Sequence, residues 1–219
     1  MSYPAEKEDF TNGTKTAPDQ IDLNTKKPFE RKKPKVPRKI TERYLHNAGL
    51  AYLQRFSSSS ANFRRVMLRK IDKSCRHHTD QDKNNCEAIL DKIILKFQDL
   101  ELLNDDVYLR GMVISLSRRG LSSRLIQQKL IQKGLPLDDI SCALKLYEEE
   151  EYETNGQADL YAAIIYCRKK KFGPFDIMER KDPEKSLASM ARAGYSYEIA
   201  QKVLKMPMQV IEEEFRFLL

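Results

Sequence analysis

The chain has 219 residues, of which 41% are hydrophobic and 32% charged, with 8 glycines and no tryptophan. That balance suits a helical protein better than a glycine-punctuated sheet protein. The formal net charge of +7 points to an acidic partner, nucleic acid or a negatively charged protein surface, with plain solubility as the simpler alternative. No apolar run approaches the roughly 18 residues a membrane span needs. The first residues carry no apolar leader core, and Cys75, Cys86, Cys142 and Cys167 are scattered, so the expectation is a cytoplasmic protein with reduced thiols.

Residues 1–40 stand apart. Pro4, Pro18, Pro28, Pro34 and Pro37 fall among Thr, Lys and Asp, with few apolar residues to offset the entropy of ordering. They are expected to form a disordered tail whose last part, Lys26 to Lys39, is a basic arm.

From Ile40 onward the apolar period is helical. Leu50, Leu53 and Phe56 recur at threes, Ile89, Ile93 and Phe97 at fours, Ile126 and Leu130 at four, and Ile140, Leu144 and Tyr147 at four and three. Asn104-Asp105-Asp106 and Ser122-Ser123 offer N-caps. Lys133-Gly134-Leu135-Pro136 reads as a glycine stop and a proline start, and Gly173-Pro174 breaks the chain again.

An internal repeat organises these helices. Gly120-Leu121-Ser122 through Leu130 lies over Gly194-Tyr195-Ser196 through Leu204, and Ser57 through Met67 gives an earlier copy. Before each, Leu50-x-x-Leu53-x-Arg55, Val113-x-x-Leu116-x-Arg118 and Leu187-x-x-Met190-x-Arg192 also agree. The pattern predicts an all-α fold of three tandem three-helix modules, at 41–103, 104–153 and 154–219, in an elongated arrangement after the tail.

Catalytic and metal motifs are sparse. The chain shows no phosphate-cradling glycine loop, no H-E-x-x-H and no nucleophile elbow, which argues against an enzyme. Cys75, His77, His78 and Cys86 form a valid zinc donor set. They lack the C-x-x-C pairing and bracket a polar stretch, so a helix end, loop and helix start account for them more simply. No cofactor is expected. The acidic run Glu148–Glu151 reads as a solvated helix face. Basic residues are better placed: Arg64, Arg65, Arg118, Arg119, Arg124, Lys129 and Lys133 recur around the middle helices of successive modules, as candidate contacts to a polyanion or filament groove. Arg168-Lys169-Lys170-Lys171 opens a later insert.

Leu102-Leu103-Asn104-Asp105-Asp106-Val107-Tyr108, then Ser117-Arg118-Arg119-Gly120, Ile126-Gln127-Gln128-Lys129-Leu130 and Lys133-Gly134-Leu135, resembles the central module of RecX proteins. Ala51-Tyr52-Leu53-x-Arg55 with Ser59, Phe63 and Met67 resembles their first module, and Arg192-Ala193-Gly194-Tyr195 their last. Ser122-Ser123 departs from the more usual Gly-Pro of the central corner, and the basic tail is not a general family feature. The resemblance implies a non-enzymatic monomer that binds the RecA–DNA filament and modulates, usually inhibits, RecA in recombination, DNA repair and the SOS response. DNA contact would be weak, non-specific and electrostatic. The rival expectation is a helix-turn-helix transcription regulator, with Gly194-Tyr195-Ser196 as the turn and Glu198–Leu204 behind it.

Overall fold

The computed structural model describes residues 36–152, 156–178 and 182–216. Residues 1–35, the bulk of the stretch expected to be a disordered tail, lie outside the described residues.

All regular structure among the described residues is helical. The stretch expected as the first module holds α1 (Glu42–Leu53), α2 (Ser60–His77) and α3 (Lys83–Asp99). The second holds α4 (Asp105–Arg118), α5 (Ser123–Ile131) and α6 (Leu137–Glu151). The last stretch holds α7 (Gln157–Lys170), a 3-10 turn at Gly173–Phe175, α8 (Pro183–Arg192), α9 (Tyr197–Leu204) and α10 (Met208–Glu214), one helix more than the expected three.

Local chemistry sets these boundaries. Side chains of Thr41, Ser59, Asp82, Asn104, Ser122, Asp182 and Ser196 each accept a first-turn backbone N–H, supplying a bond the helix cannot make for itself. Gly134 ends the α5 region at φ +83°, a conformation costly for any residue with a Cβ, and Pro136 caps α6. The buried side chains fall into three clusters, one for each of these stretches. Phe63, Met67, Ile71, Leu90, Ile93 and Phe97 fill the first. Ile126, Leu130 and Ile140 are fully buried in the second, and Ile164, Met190, Val203 and Ile211 in the third.

Three expectations change. Phe56 lies past the end of α1 and is 53% exposed, so the core period of that helix stops at Leu53. Residues 36–40, expected as the end of the tail, are tied to the first module. Ile40 is buried and its backbone N–H donates to Gln81, while Ser74 Oγ donates to the Arg38 carbonyl.

The third change concerns the repeat. α7 and α8 both pack on α9, as α4 and α5 pack on α6. Gly134 and Gly194 are equivalent, for Ser59 Oγ donates to the Lys133 carbonyl and Ser122 Oγ to the Ala193 carbonyl, the residue just before the glycine in each case. The structural copy of α5 is therefore α8, whereas the sequence overlay set α8 against α4. Either end of the middle helix carries a left-handed glycine followed within two residues by a serine or proline helix cap, so both registers fit the sequence pattern.

Candidate partner-binding surface

The basic candidates gather where modules meet, and helix ends explain why modules meet there. The last carbonyls and first N–H groups of a helix have no partner within it. At the first joint, Ser59 Oγ donates to the Lys133 carbonyl at 2.6 Å, and the Ser60 N–H opening α2 donates to Asp105 Oδ1 at 2.7 Å. At the second joint, Ser122 Oγ donates to the Ala193 carbonyl at 2.6 Å, and the Ser123 N–H opening α5 donates to Asp159 Oδ1 at 2.7 Å. The N-terminus of each middle helix thus meets the C-terminal end of the next module's middle helix. A carboxylate at the opening turn of α4 or α7 answers its positive end.

The cations flank these joints. Arg65 is exposed and donates to the Gln132 carbonyl at 2.8 Å, beside half-buried Lys133. Arg124 is exposed at the second joint, its Cβ 3.4 Å from where a Cβ on Gly194 would stand. Arg118 and Arg119 are exposed at the end of α4, and Lys169 reaches the Arg119 carbonyl from α7 at 2.8 Å. Lys129 is exposed in the last turn of α5, five residues and so over a third of a turn from Arg124 around the helix.

Arg64 sits differently. It faces α3, where Nε donates to Asp91 at 2.9 Å and Glu87 lies at 3.5 Å. The Asp91 hydrogen bond, with Glu87 adding to it, raises the guanidinium pKa above its ordinary value. Its charge is already answered within the module, unlike that of its neighbour Arg65.

Sequence reasoning saw Lys169 only as the opening of an insert and gave it no joint contact. It also missed an aromatic cleft of about 300 Å³ beside Arg118, walled by Tyr147, Tyr152 and Tyr161, with Ser117 and Glu151 on its rim. Burial first, then a hydrogen bond with Tyr147 at 3.4 Å, pushes the Tyr152 phenol well above its usual range. The only signal was the spacing of three tyrosines across two helices, which a single periodicity does not reveal.

No three His, Cys, Asp or Glu side chains converge as a metal site among the described residues. In the Cys75/His77/His78/Cys86 cluster, His78 turns to the Pro37 carbonyl at 2.8 Å. No helix of the described residues is long and apolar enough to cross a membrane. The turn of the rival helix-turn-helix is closed in: Tyr195 is buried, with its hydroxyl donating to the Gly120 carbonyl at 2.9 Å, and Gly194 abuts Ser122. The exposed cations at the joints can donate charge-assisted hydrogen bonds to phosphates or carboxylates.

The chain matches no family model. It is 35% identical over 174 residues to Regulatory protein RecX of Myxococcus xanthus (strain DK1622), covering 78% of this chain and 89% of that protein. To Regulatory protein RecX of Agrobacterium fabrum (strain C58 / ATCC 33970) it is 30% identical over 172 residues, covering 78% and 86%. Its fold is similar to the crystal structure of RecX from Lactobacillus salivarius, with a TM-score of 0.52 at 20% identity, over 75% of this chain and 94% of that one.

Proposed function

This chain belongs to the RecX family of regulatory proteins, and we propose that it binds the RecA–DNA filament and inhibits RecA activity, without a reaction of its own. The observation that carries this reading is the gathering of cations, all but Lys133 exposed, at the two joints. Arg65 and Lys133 flank the first, Arg118, Arg119 and Arg124 the second, and Lys129 lies on the helix between them. Cations spaced by a repeated joint suit a partner that itself repeats, a polyanion or a helical filament groove. Arg64 contributes least, because Asp91 and Glu87 already hold it. DNA contact in this reading is weak and indifferent to sequence, and the protein acts as a monomer.

Contacts of this kind weaken as salt rises, through counterion release and screening. The test is co-sedimentation with RecA–single-stranded DNA filaments alongside a RecA ATPase assay. Arg124→Gln combined with Lys129→Gln should weaken inhibition while helical content and melting temperature stay unchanged. The slope of log affinity against log salt should fall by about 1 for each cation that faced a phosphate. Inhibition that survives the double change and ignores added salt would overturn the reading. A transcription regulator would instead prefer one duplex sequence over others.

A further inference from the structure

The first module carries a pair of thiols that the filament reading leaves unused. α2 and α3 pack side by side and run antiparallel, joined by the short turn 78–82. Their buried residues recur at threes and fours, Phe63, Met67 and Ile71 along α2 and Leu90, Ile93 and Phe97 along α3. Phe63 faces Phe97 with ring centroids 5.8 Å apart. Carrying that ladder toward the turn sets Met67 against Ile93, Ile71 against Leu90, and, one step further, Cys75 against Cys86. Cys86 is part of the first module's core cluster and Cys75 packs against it, close enough for the two thiols to interact electrostatically.

The two are unequal. Cys86 is buried, whereas Cys75 is half-buried and both are free thiols. Lys83, at the start of α3 beside this pair, holds its ammonium on Asp72 at 2.8 Å and 3.8 Å from Glu87. Desolvation, then the neighbouring Cys75, raises the pKa of Cys86 above that of an ordinary thiol. Reactivity toward disulfides follows the accessible thiolate, so Cys75 is the initiating sulfur and Cys86 the resolving one.

We propose that Cys75 and Cys86 form a reversible oxidation site, closed to an intramolecular disulfide by a low-molecular-weight disulfide of the glutathione class. The Cys75 thiolate attacks one sulfur of RSSR, forming the Cys75–SR bond and releasing RS⁻, which takes up the proton Cys75 had lost. Cys86 then loses its proton to solvent and its sulfur attacks Cys75 Sγ. The Cys75–SR bond breaks, and the second RS⁻ leaves and is protonated. Two thiols are oxidised by two electrons, and one RSSR is reduced to two RSH. The cross-link joins the last turn of α2 to the first turn of α3. It lies one residue from Ser74, whose hydroxyl holds the Arg38 carbonyl, so oxidation stiffens the corner that anchors Pro37–Ile40.

The test incubates reduced full-length protein with oxidised glutathione under native conditions, quenches with N-ethylmaleimide and digests with trypsin without reduction. The expected product is a peptide joining Ser74–Arg76 to Asn84–Lys92, in protein lighter by two hydrogens and free of glutathione. This species should outnumber the glutathione adduct at Cys75 by roughly tenfold or more, since an adjacent thiol competes at high effective concentration. Cys142→Ser, at an exposed position, should leave the link intact. Cys75→Ser should abolish it and leave Cys86 available to alkylation only after unfolding. The oxidised protein should also melt higher than the reduced one. A persistent Cys75–glutathione adduct, linkage through Cys142 into dimers, or two untouched thiols after Cys142 has reacted would each overturn the proposal.

Discussion

The two joints between modules use the same device and close it with different chemistry. In each, a capping serine lends its hydroxyl oxygen to its own helix and its proton to a carbonyl of the next module, and the next N–H goes to a carboxylate. Beyond that they diverge. The first is sealed by Arg65, an exposed cation on the Gln132 carbonyl. At the second, the buried Tyr195 hydroxyl reaches the Gly120 carbonyl, and Ser123 Oγ adds a further bond to Asp159 at 2.8 Å. Gly120 also sits so close to α7 that a Cβ there would stand 2.9 Å from Ile165 Cγ2. The Arg65 bond of the first joint is exposed, whereas the second joint adds the buried Tyr195 bond to its exposed Lys169–Arg119 contact, so the first joint should be the softer and the more sensitive to salt.

The largest test asks whether the two joints are equivalent at all. Leu130 and Met190 stand four residues before the glycines that close each joint, and both are fully buried. Leu130→Ala and Met190→Ala should each cost about 2–5 kcal/mol in chemical denaturation, through lost contacts and a residual cavity. A cost well below 1 kcal/mol at one of them would mean that α8 is not the structural counterpart of α5.

The next test separates the joints. Tyr195→Phe removes the donor to a buried carbonyl and should cost about 1–3 kcal/mol, because the acceptor stays desolvated without a partner. The first joint has no counterpart, since Leu135 occupies the equivalent place. The same hydroxyl gives the second joint a pH dependence. Burial, above all, raises the Tyr195 pKa over the ordinary value of 10.0. A group whose folded pKa lies above its unfolded one contributes stability that is complete below the unfolded value and is lost as pH rises through the folded one. Stability should therefore hold up to about pH 10 and decline above it. Burial raises Tyr108 and Tyr152 as well, so the decline in Tyr195→Phe should be shallower rather than absent. An identical alkaline profile in the variant would remove Tyr195 from the account. Smaller and more even, Ser59→Ala and Ser122→Ala should each cost about 0.5–2 kcal/mol, as helix caps do. A much larger loss at one would show that its bond across the joint outweighs its cap.

These joints also mark how far the sequence was legible. The helices were readable because burial and capping are local: Ile126 and Leu130 are fully buried, and Asn104 and Ser122 cap the helices they precede. The partner of Ser123 was not readable, because Asp159 lies 36 residues on and nothing in the intervening pattern marks it. The register of the third copy failed for a related reason. Gly120 and Gly194 both stand in the left-handed region before a serine cap, and only bonds between modules tell them apart. Among the basic residues, exposure was readable and pairing was not. Arg64 and Arg65 are adjacent in the chain, yet one turns to Asp91 and Glu87 and the other to the next module.

That last contrast supplies the smallest and sharpest test of the comparison. Arg65→Gln removes a cation from the C-terminal end of α5, where the helix dipole and an unpaired carbonyl favour positive charge. The site is exposed, so the cost should be only about 0.2–1 kcal/mol and should shrink as salt rises. Hydrogen exchange gives the local readout. The Ser60 amide, held by Asp105, should exchange faster in the variant, while the Ser123 amide, held by Asp159, should not change. In the unaltered protein, added salt should speed Ser60 more than Ser123, since the second joint adds to its exposed Lys169 contact a buried tyrosine bond that salt does not reach. If both amides respond alike to the substitution and to salt, the joints are not sealed differently. The softer joint would then have to be located by some feature other than Arg65.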